Sequence, residues 1–247
     1  MRTARLDLST FDGQLIDGLE FCRKVYDFFD QTQRQPGGIS KLRLRSTAAA
    51  KKLLEELIPI ARLVQARYQH GRRIKVRWFS GSQPYDAILW SSGGLVKHGM
   101  ARRRQVVEVT TAVHPNDHLS REELDRTGRS WGAKQILRNK RTREVRSEPY
   151  VYQNDERSVD LSGQIVECLK KKSVKSYPPS TVLIVNCESE GLLLEDEWDE
   201  AVARVKQADE HSSFREIFLI EASRNYSATL YGTRAPARRR ARRKRAA

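Results

Sequence analysis

The segment Val182-Leu183-Ile184-Val185, flanked by Thr181 and Asn186 and preceded by a Pro178-Pro179 break, offers no polar side chain at alternate positions. A strand with one wet face alternates polar and apolar residues, so a continuous apolar run of this length belongs to a strand covered on both faces. A second run, Ile217-Phe218-Leu219-Ile220, repeats the pattern. Strands of this kind need helices above and below them, and two candidates flank the first run. Leu161, Ile165, Val166 and Leu169 recur at helical spacing over 160–171, and 198–206 also reads as a helix. The expectation is an α/β fold with a central mixed sheet flanked by helices. A hydrophobic content of 38% in 247 residues suffices for such a core.

The N-terminal half completes the pattern. Leu15, Leu19, Cys22, Val25 and Phe29 predict an amphipathic helix within 11–31, and Gln35-Pro36-Gly37-Gly38 ends it. Residues 1–40 are therefore expected to form an N-terminal helical extension. Ser46 or Thr47 opens a second helical pattern reaching about residue 68, in which Pro59 predicts a kink or local break. Strands follow at 73–79, 85–90 and 103–113, the last two joined through Ser91-Ser92-Gly93-Gly94, a composition that suits a hairpin. Over 116–146 the apolar residues are sparse, and short helices are expected near 120–125 and 131–141. Residues 227–233 read as an edge strand. The main α/β domain spans 41–233, and 234–247 is a basic tail expected to be disordered, because it has nothing to bury and repels itself.

The formal charge of +15 narrows the partners. Eight basic residues crowd into the tail between Arg234 and Arg245, yet the rest of the chain keeps about +7. Such a field attracts polyanions, chiefly nucleic acid, and less readily an anionic membrane. No stretch is apolar enough to span a bilayer and the first residues carry no signal-peptide core, which predicts an intracellular protein, cytoplasmic or nucleoid-associated. Cys22, Cys168 and Cys187 are widely spaced and odd in number, as expected of small core residues rather than disulfides or thiolate metal ligands. The chain lacks a Gly-x-x-x-x-Gly-Lys loop, a Gly-x-Gly-x-x-Gly turn and a Gly-x-Ser-x-Gly elbow. These absences argue against a nucleotide-driven motor, a dinucleotide enzyme and a serine hydrolase of the elbow type.

Two acids stand out within the strand-like stretches: Asp86 in Pro84-Tyr85-Asp86-Ala87 and Glu108 in Val106-Val107-Glu108-Val109-Thr110. A charge among apolar neighbours is costly unless it is paired. A hairpin centred near Lys97 sets the two carboxylates opposite each other on one face, together with Thr110. Neighbouring carboxylates repel unless a cation stands between them, which points to a divalent-metal site. Asp86, Glu108 and the main-chain carbonyl of Val109 supply oxygen donors suited to Mg2+ or Mn2+.

These residues resemble the motif of the PD-(D/E)xK nuclease superfamily, the restriction-endonuclease-like fold. Its hallmark is an acid on the second core strand, then acid-x-lysine on the third, often with a glutamate from the preceding helix. Pro84-Tyr85-Asp86 resembles the first element, with Tyr85 inserted, and Glu108-Val109-Thr110 the second. Glu55 or Glu56 stands where the helical acid is expected, Glu56 being taken as the metal ligand. The resemblance runs over about 47–220 in order of elements. It implies a restriction-endonuclease-like core and Mg-dependent hydrolysis of phosphodiesters, with DNA as substrate. Thr110 occupies the place of the lysine, and a hydroxyl cannot supply its charge. Some members of the superfamily carry the basic group on another element, which makes Lys134 the candidate substitute. Gln105, at the start of the strand, is a weaker one. Arg102, Arg103 and Arg104 enter the same hairpin and are expected to grip backbone phosphates, as are Arg238, Arg239, Arg240, Arg242 and Arg243 of the tail.

Each element also has a plainer reading. Asp86 can be a turn acid after proline, Glu108 can pair with an arginine across the sheet, and helix surfaces are rich in glutamate. Arginines at a strand edge protect it from aggregation. His114, Asp117 and His118 lack zinc-ligand spacing and read as a polar loop bordering the same cleft. The competing function is a nuclease-fold protein that binds nucleic acid or a protein partner without cutting, favoured by Thr110 and the arginine tail. A homo-oligomer fits either reading.

Overall fold

A computed structural model describes residues 7–153, 155–189, 194–208 and 214–231. The chain opens with strand β1 (Leu15–Asp17) and helices α1 (Gly18–Arg34), α2 (Gly38–Leu44) and α3 (Ala48–Lys52). A π-helical turn at Leu53–Leu57 joins α3 to α4 (Ile58–Arg67). A meander follows: β2 (Arg73–Trp78), β3 (Ala87–Ser92), the one-turn α5 (Gly94–Lys97) and β4 (Arg104–Ala112). Then come α6 (Asp117–Thr127), a hairpin of β5 (Ile136–Arg138) and β6 (Val145–Ser147), and α7 (Glu156–Ser173). The described chain ends with β7 (Thr181–Cys187), α8 (Glu195–Ala208), β8 (Glu216–Glu221) and β9 (Ser227–Tyr231).

One mixed sheet runs in the order β1-β2-β3-β4-β7-β8-β9. The β4–β7 and β7–β8 pairs are parallel and all others antiparallel, so α7 and α8 lie on the connections between parallel strands. Every residue of β7 is buried, as its composition requires. Alternation sends its side chains to two cores. Val182 and Ile184 pack with Phe21, Val25, Leu57 and Ile60 beneath α1 and α4, whereas Leu183 and Val185 pack with Leu161, Ile165, Trp198 and Val202 of α7 and α8. Full burial of each such aliphatic side chain contributes about 1.5–3 kcal/mol. Helices therefore flank a large mixed sheet, and among the described residues no helix is long and apolar enough to cross a membrane.

The structure departs from the sequence reading in several places. The first forty residues are not an appended arm: β1 pairs with β2, and Phe11, Phe21 and Val25 belong to the main core. Gly18 permits this docking, since a Cβ there would meet the Ile74 carbonyl at 2.9 Å. The 47–68 helical run begins where Thr47 Oγ1 accepts from Ala50 N–H (3.1 Å), but its irregularity is the π turn just before Pro59. Proline lacks an N–H, and the wider turn accommodates the missing bond at that point. Residues 131–141 are not helical. They hold β5, whose Ile136 packs with Val145, Leu119 and Ala133 in a small core of its own. The tail lies outside the described residues, so the placement of Arg238, Arg239, Arg240, Arg242 and Arg243 does too.

Candidate active site

Strand β3 stops pairing with β4 at Ala87↔Val107, while β7 continues along the other side of β4 to Ala112. The β3-side edge of β4 is consequently open beyond Val107, and a cleft of about 690 Å³ lies there, lined by Glu56, Asp86, Glu108, Thr110 and Lys172 among others. The hairpin register centred near Lys97 is that of the β3–β4 ladder. It slips at its last step, because the Asp86 N–H donates to the Val107 carbonyl (2.9 Å), the residue already registered with Ala87. Two residues facing one is the count of a β-bulge, which re-aims a side chain at a strand end. Asp86 therefore does not stand squarely opposite Glu108. Its Oδ2 accepts from Val109 N–H at 2.7 Å, taking the place of the partner strand in the plane of the sheet.

The other acids approach that point from the two faces. Glu108 follows Val107 and precedes Val109, both in the α1/α4 core, so it projects towards α7, where Lys172 Nζ donates to its Oε1 at 2.5 Å and Tyr177 OH at 3.4 Å. Glu56, on the π turn, comes from the opposite face, and its Oε2 accepts from Trp78 Nε1 at 2.9 Å. The site is thus built around a sheet edge, not on one face. A strand residue directs its N–H and C=O to the same neighbour, so the Val109 carbonyl opens on the same edge as the N–H held by Asp86.

Burial is the largest influence on Asp86 and, with the charge of Glu108 and then Glu56, pushes its carboxyl up to about 7, against the Val109 N–H and the Lys172 ammonium. Burial likewise raises Glu56, opposed by Trp78 and Lys52. Neither carboxyl forms an ion pair among the described residues, and the ammonium charges of Lys172 and Lys52 offset their burial only in part. Their donor set, hard carboxylate oxygens with a main-chain carbonyl beside them, is of the type that suits Mg2+ or Mn2+. Among the described residues, however, no group of three or more His, Cys, Asp or Glu side chains comes together in a geometry that could hold a metal ion. The oxygens that could serve such an ion are those of Asp86 and Glu108 with the Val109 carbonyl, and Glu108 already accepts from Lys172.

Around the acids, Arg45, Lys51, Arg121 and Lys171 join Lys172 in lining the cleft. His114, Asp117 and His118 border it, as their closeness to Glu108 in sequence suggested. Gln164 also lines it, and its Oε1 is buried without a hydrogen-bond partner. Glu55 is tied to Arg45 (2.7 Å), which also bridges to Glu188.

Several expected groups lie elsewhere. Lys134 is not on a helix and does not line the cleft. It is paired with Glu156 (3.0 Å) and Asp160, beside the rings of Tyr150 and Tyr152. Arg102, Arg103 and Arg104 are exposed at the other end of the hairpin, and Arg104 stands about 13 Å from Glu108 at the rise of an extended strand. Gln105 accepts from Arg67 and Arg72. The missed residue is Lys172. It sits in Lys170-Lys171-Lys172 and reads as one of a solvated group at a helix end. Its spacing of four from Cys168 and eight from Gln164 is the available signal, since it marks a second stripe beside the buried Leu161-Ile165-Leu169 row.

Comparison of the chain with known protein families, with curated proteins and with solved structures yields no match.

Proposed function

We propose that the protein is a metal-dependent nuclease with a restriction-endonuclease-like core, hydrolysing phosphodiester bonds in DNA. The observation that carries the reading is the convergence of Glu56, Asp86 and Glu108 at the open edge of β4, with Lys172 against Glu108. They come from the π turn of the helical run, the start of β3 and the middle of β4, which stand for the helix and the second and third core strands of the resemblance when β2 is counted as the first. The order of helix, three-stranded meander, helix and parallel strand supports the same core.

In this reading Asp86, Glu108 and the Val109 carbonyl would hold Mg2+ or Mn2+, with the Glu56 carboxyl behind them. The ion, when bound, polarises the phosphate and lowers the pKa of a water. The residues of the chain do the rest. The Val109 N–H fixes the Asp86 carboxylate, and Tyr177 orients Glu108. Lys172 takes the role that Thr110 cannot, placing an ammonium beside the charge that develops on the phosphate. Lys51 and Lys171, the most exposed of the cleft's cations, receive the flanking phosphates, while Arg45 and Arg121 are held by Glu55, Glu188 and Asp117.

Thr110 then contributes shape and Lys134 only structure. A second reading, a nuclease-fold binding protein without cleavage, is favoured by the Lys172–Glu108 bridge, which already supplies a cation to one of the acids.

Incubation of purified protein with plasmid DNA in Mg2+, Mn2+ or EDTA separates the two. The nuclease reading expects cutting that requires the ion and falls by at least about 10³-fold in Asp86→Ala and Glu108→Ala, on the scale of losing a principal electrostatic contribution. Cutting that persists in both variants removes the site, and binding without cutting under any condition supports the second reading.

A further inference from the structure

The hairpin β5–β6 lies beside the cleft: Pro115 and Asp117 line the cleft, while Asn116 between them lines the concave surface of the hairpin. One face of the hairpin is anchored, with Ile136 and Val145 packed on Leu119 of α6. The other is bare, as Leu137 is 79% exposed, registered opposite Arg146, with Trp131 63% exposed at the base. The connecting turn is ordered by its own bonds. Asn139 Oδ1 accepts from the N–H groups of Arg141 and Thr142 (2.8 and 3.0 Å), and Arg143 N–H donates to Asn139 O (2.8 Å).

The charges divide into two sets. Arg138 is held by Glu122 (2.9 Å), and Arg126 and Arg146 share Glu144 (3.2 Å each). At the tip, Lys140, Arg141 and Arg143 are exposed, and none makes an ion pair among the described residues. A turn fixed by its own hydrogen bonds that presents three unpaired cations to solvent is suited to meet a polyanion. The nearest source of one is the substrate of the neighbouring cleft.

We infer that the β5–β6 hairpin is a DNA-docking ribbon that enters the major groove of a duplex whose backbone lies in the cleft, with Lys140, Arg141 and Arg143 on phosphates. The inference rests on the nuclease reading for the position of the duplex. A two-stranded ribbon fits the wide major groove of B-form DNA, whereas the deep, narrow major groove of A-form RNA excludes it. The apolar Leu137 and Trp131 then face the groove wall or sugar edges in place of water.

The test is the binding of a labelled DNA duplex of about 20 base pairs, followed by fluorescence anisotropy in EDTA across about 50–200 mM salt. The full chain is compared with Lys140→Ala/Arg141→Ala/Arg143→Ala and with an equal-charge control, Arg34→Ala/Arg43→Ala/Arg73→Ala, on α1, α2 and β2. Circular dichroism verifies that both fold. The hairpin variant is expected to bind DNA at least about tenfold more weakly and to flatten the slope of log K against log salt by about 2–3, near 0.9 per lost contact. The control and an RNA duplex of the same sequence should show a much smaller change. An unaltered affinity and slope in the hairpin variant, or an equal loss in the control or on RNA, overturns the inference. DNA that is bound through the hairpin but never cut breaks the nuclease reading alone, and intact cutting with unaltered binding breaks the hairpin assignment alone.

Discussion

Two groups of buried carboxylates stand at neighbouring strand ends, and they are treated oppositely. Glu221, at the end of β8, is fully buried and saturated. Its oxygens accept from Ser189 Oγ (3.0 Å), Ser223 N–H and Oγ (2.8 Å each) and Arg224 N–H. Beside it, Glu188 is raised by burial but bridged by Arg45. At the end of β3, Asp86 receives one N–H and has Glu108 and Glu56 as neighbours. A structural carboxylate is surrounded by donors that favour its charge, whereas the cleft gathers carboxylates that oppose one another. That deficit of donors, more than the presence of acids, distinguishes the cleft from the saturated end of β8.

The sharpest way to test the contrast is charge removal at each place. Lys172→Met should cost about 10² in kcat for cleavage, the scale of one lost electrostatic contact, while Lys134→Met changes kcat by less than about twofold. Equal effects would show that Lys172 is only a counter-ion for Glu108. Glu221→Gln should destabilise the protein by about 1–3 kcal/mol, because its new amide faces N–H and O–H donors that lose an acceptor. A chemical denaturation curve measures this, and an unchanged midpoint would break the contrast.

The smallest effect is opposite in sign and depends on pH. An acid raised to about 7 in the folded protein holds its proton more tightly folded than unfolded. Stability from Asp86 is therefore greatest near pH 4 and declines as pH rises to about 7. In EDTA, Asp86→Asn should remove that decline and raise Tm at pH 8 by at least about 2–4 °C, with no gain near pH 4. Mg2+ should stabilise the native protein at pH 8 and leave the variant unmoved. A Tm gain that is the same at both pH values would show that Asp86 does not titrate in this range.

The strands were readable because their side-chain patterns carry the burial of each face. Val182 to Val185 announced a doubly covered strand, and the structure buries every residue of it. The hairpin centre near Lys97 was set by placing Asp86 opposite Glu108, and the ladder that forms, with Ala87 opposite Val107, keeps that centre. The bulge was not legible, since it depends on where β3 leaves β4 and on the bond from Val109 N–H to Asp86. Lys134 and Lys172 illustrate the same limit. Both are lysines in charged surroundings, and only the packing of α7 over β4 brings one to Glu108 while Asp160 and Glu156 hold the other away.

The sequence by itself determined the layered α/β architecture, the basic character and the acids of interest, because periodicity and charge are local properties of the chain. Tertiary structure alone decided that Asp86 lies in the plane of the sheet between Glu56 and Glu108, and that Lys172 meets Glu108. Those relations arise at an open strand edge where separate elements meet, and the energy of a carboxylate there depends on neighbours distant in sequence.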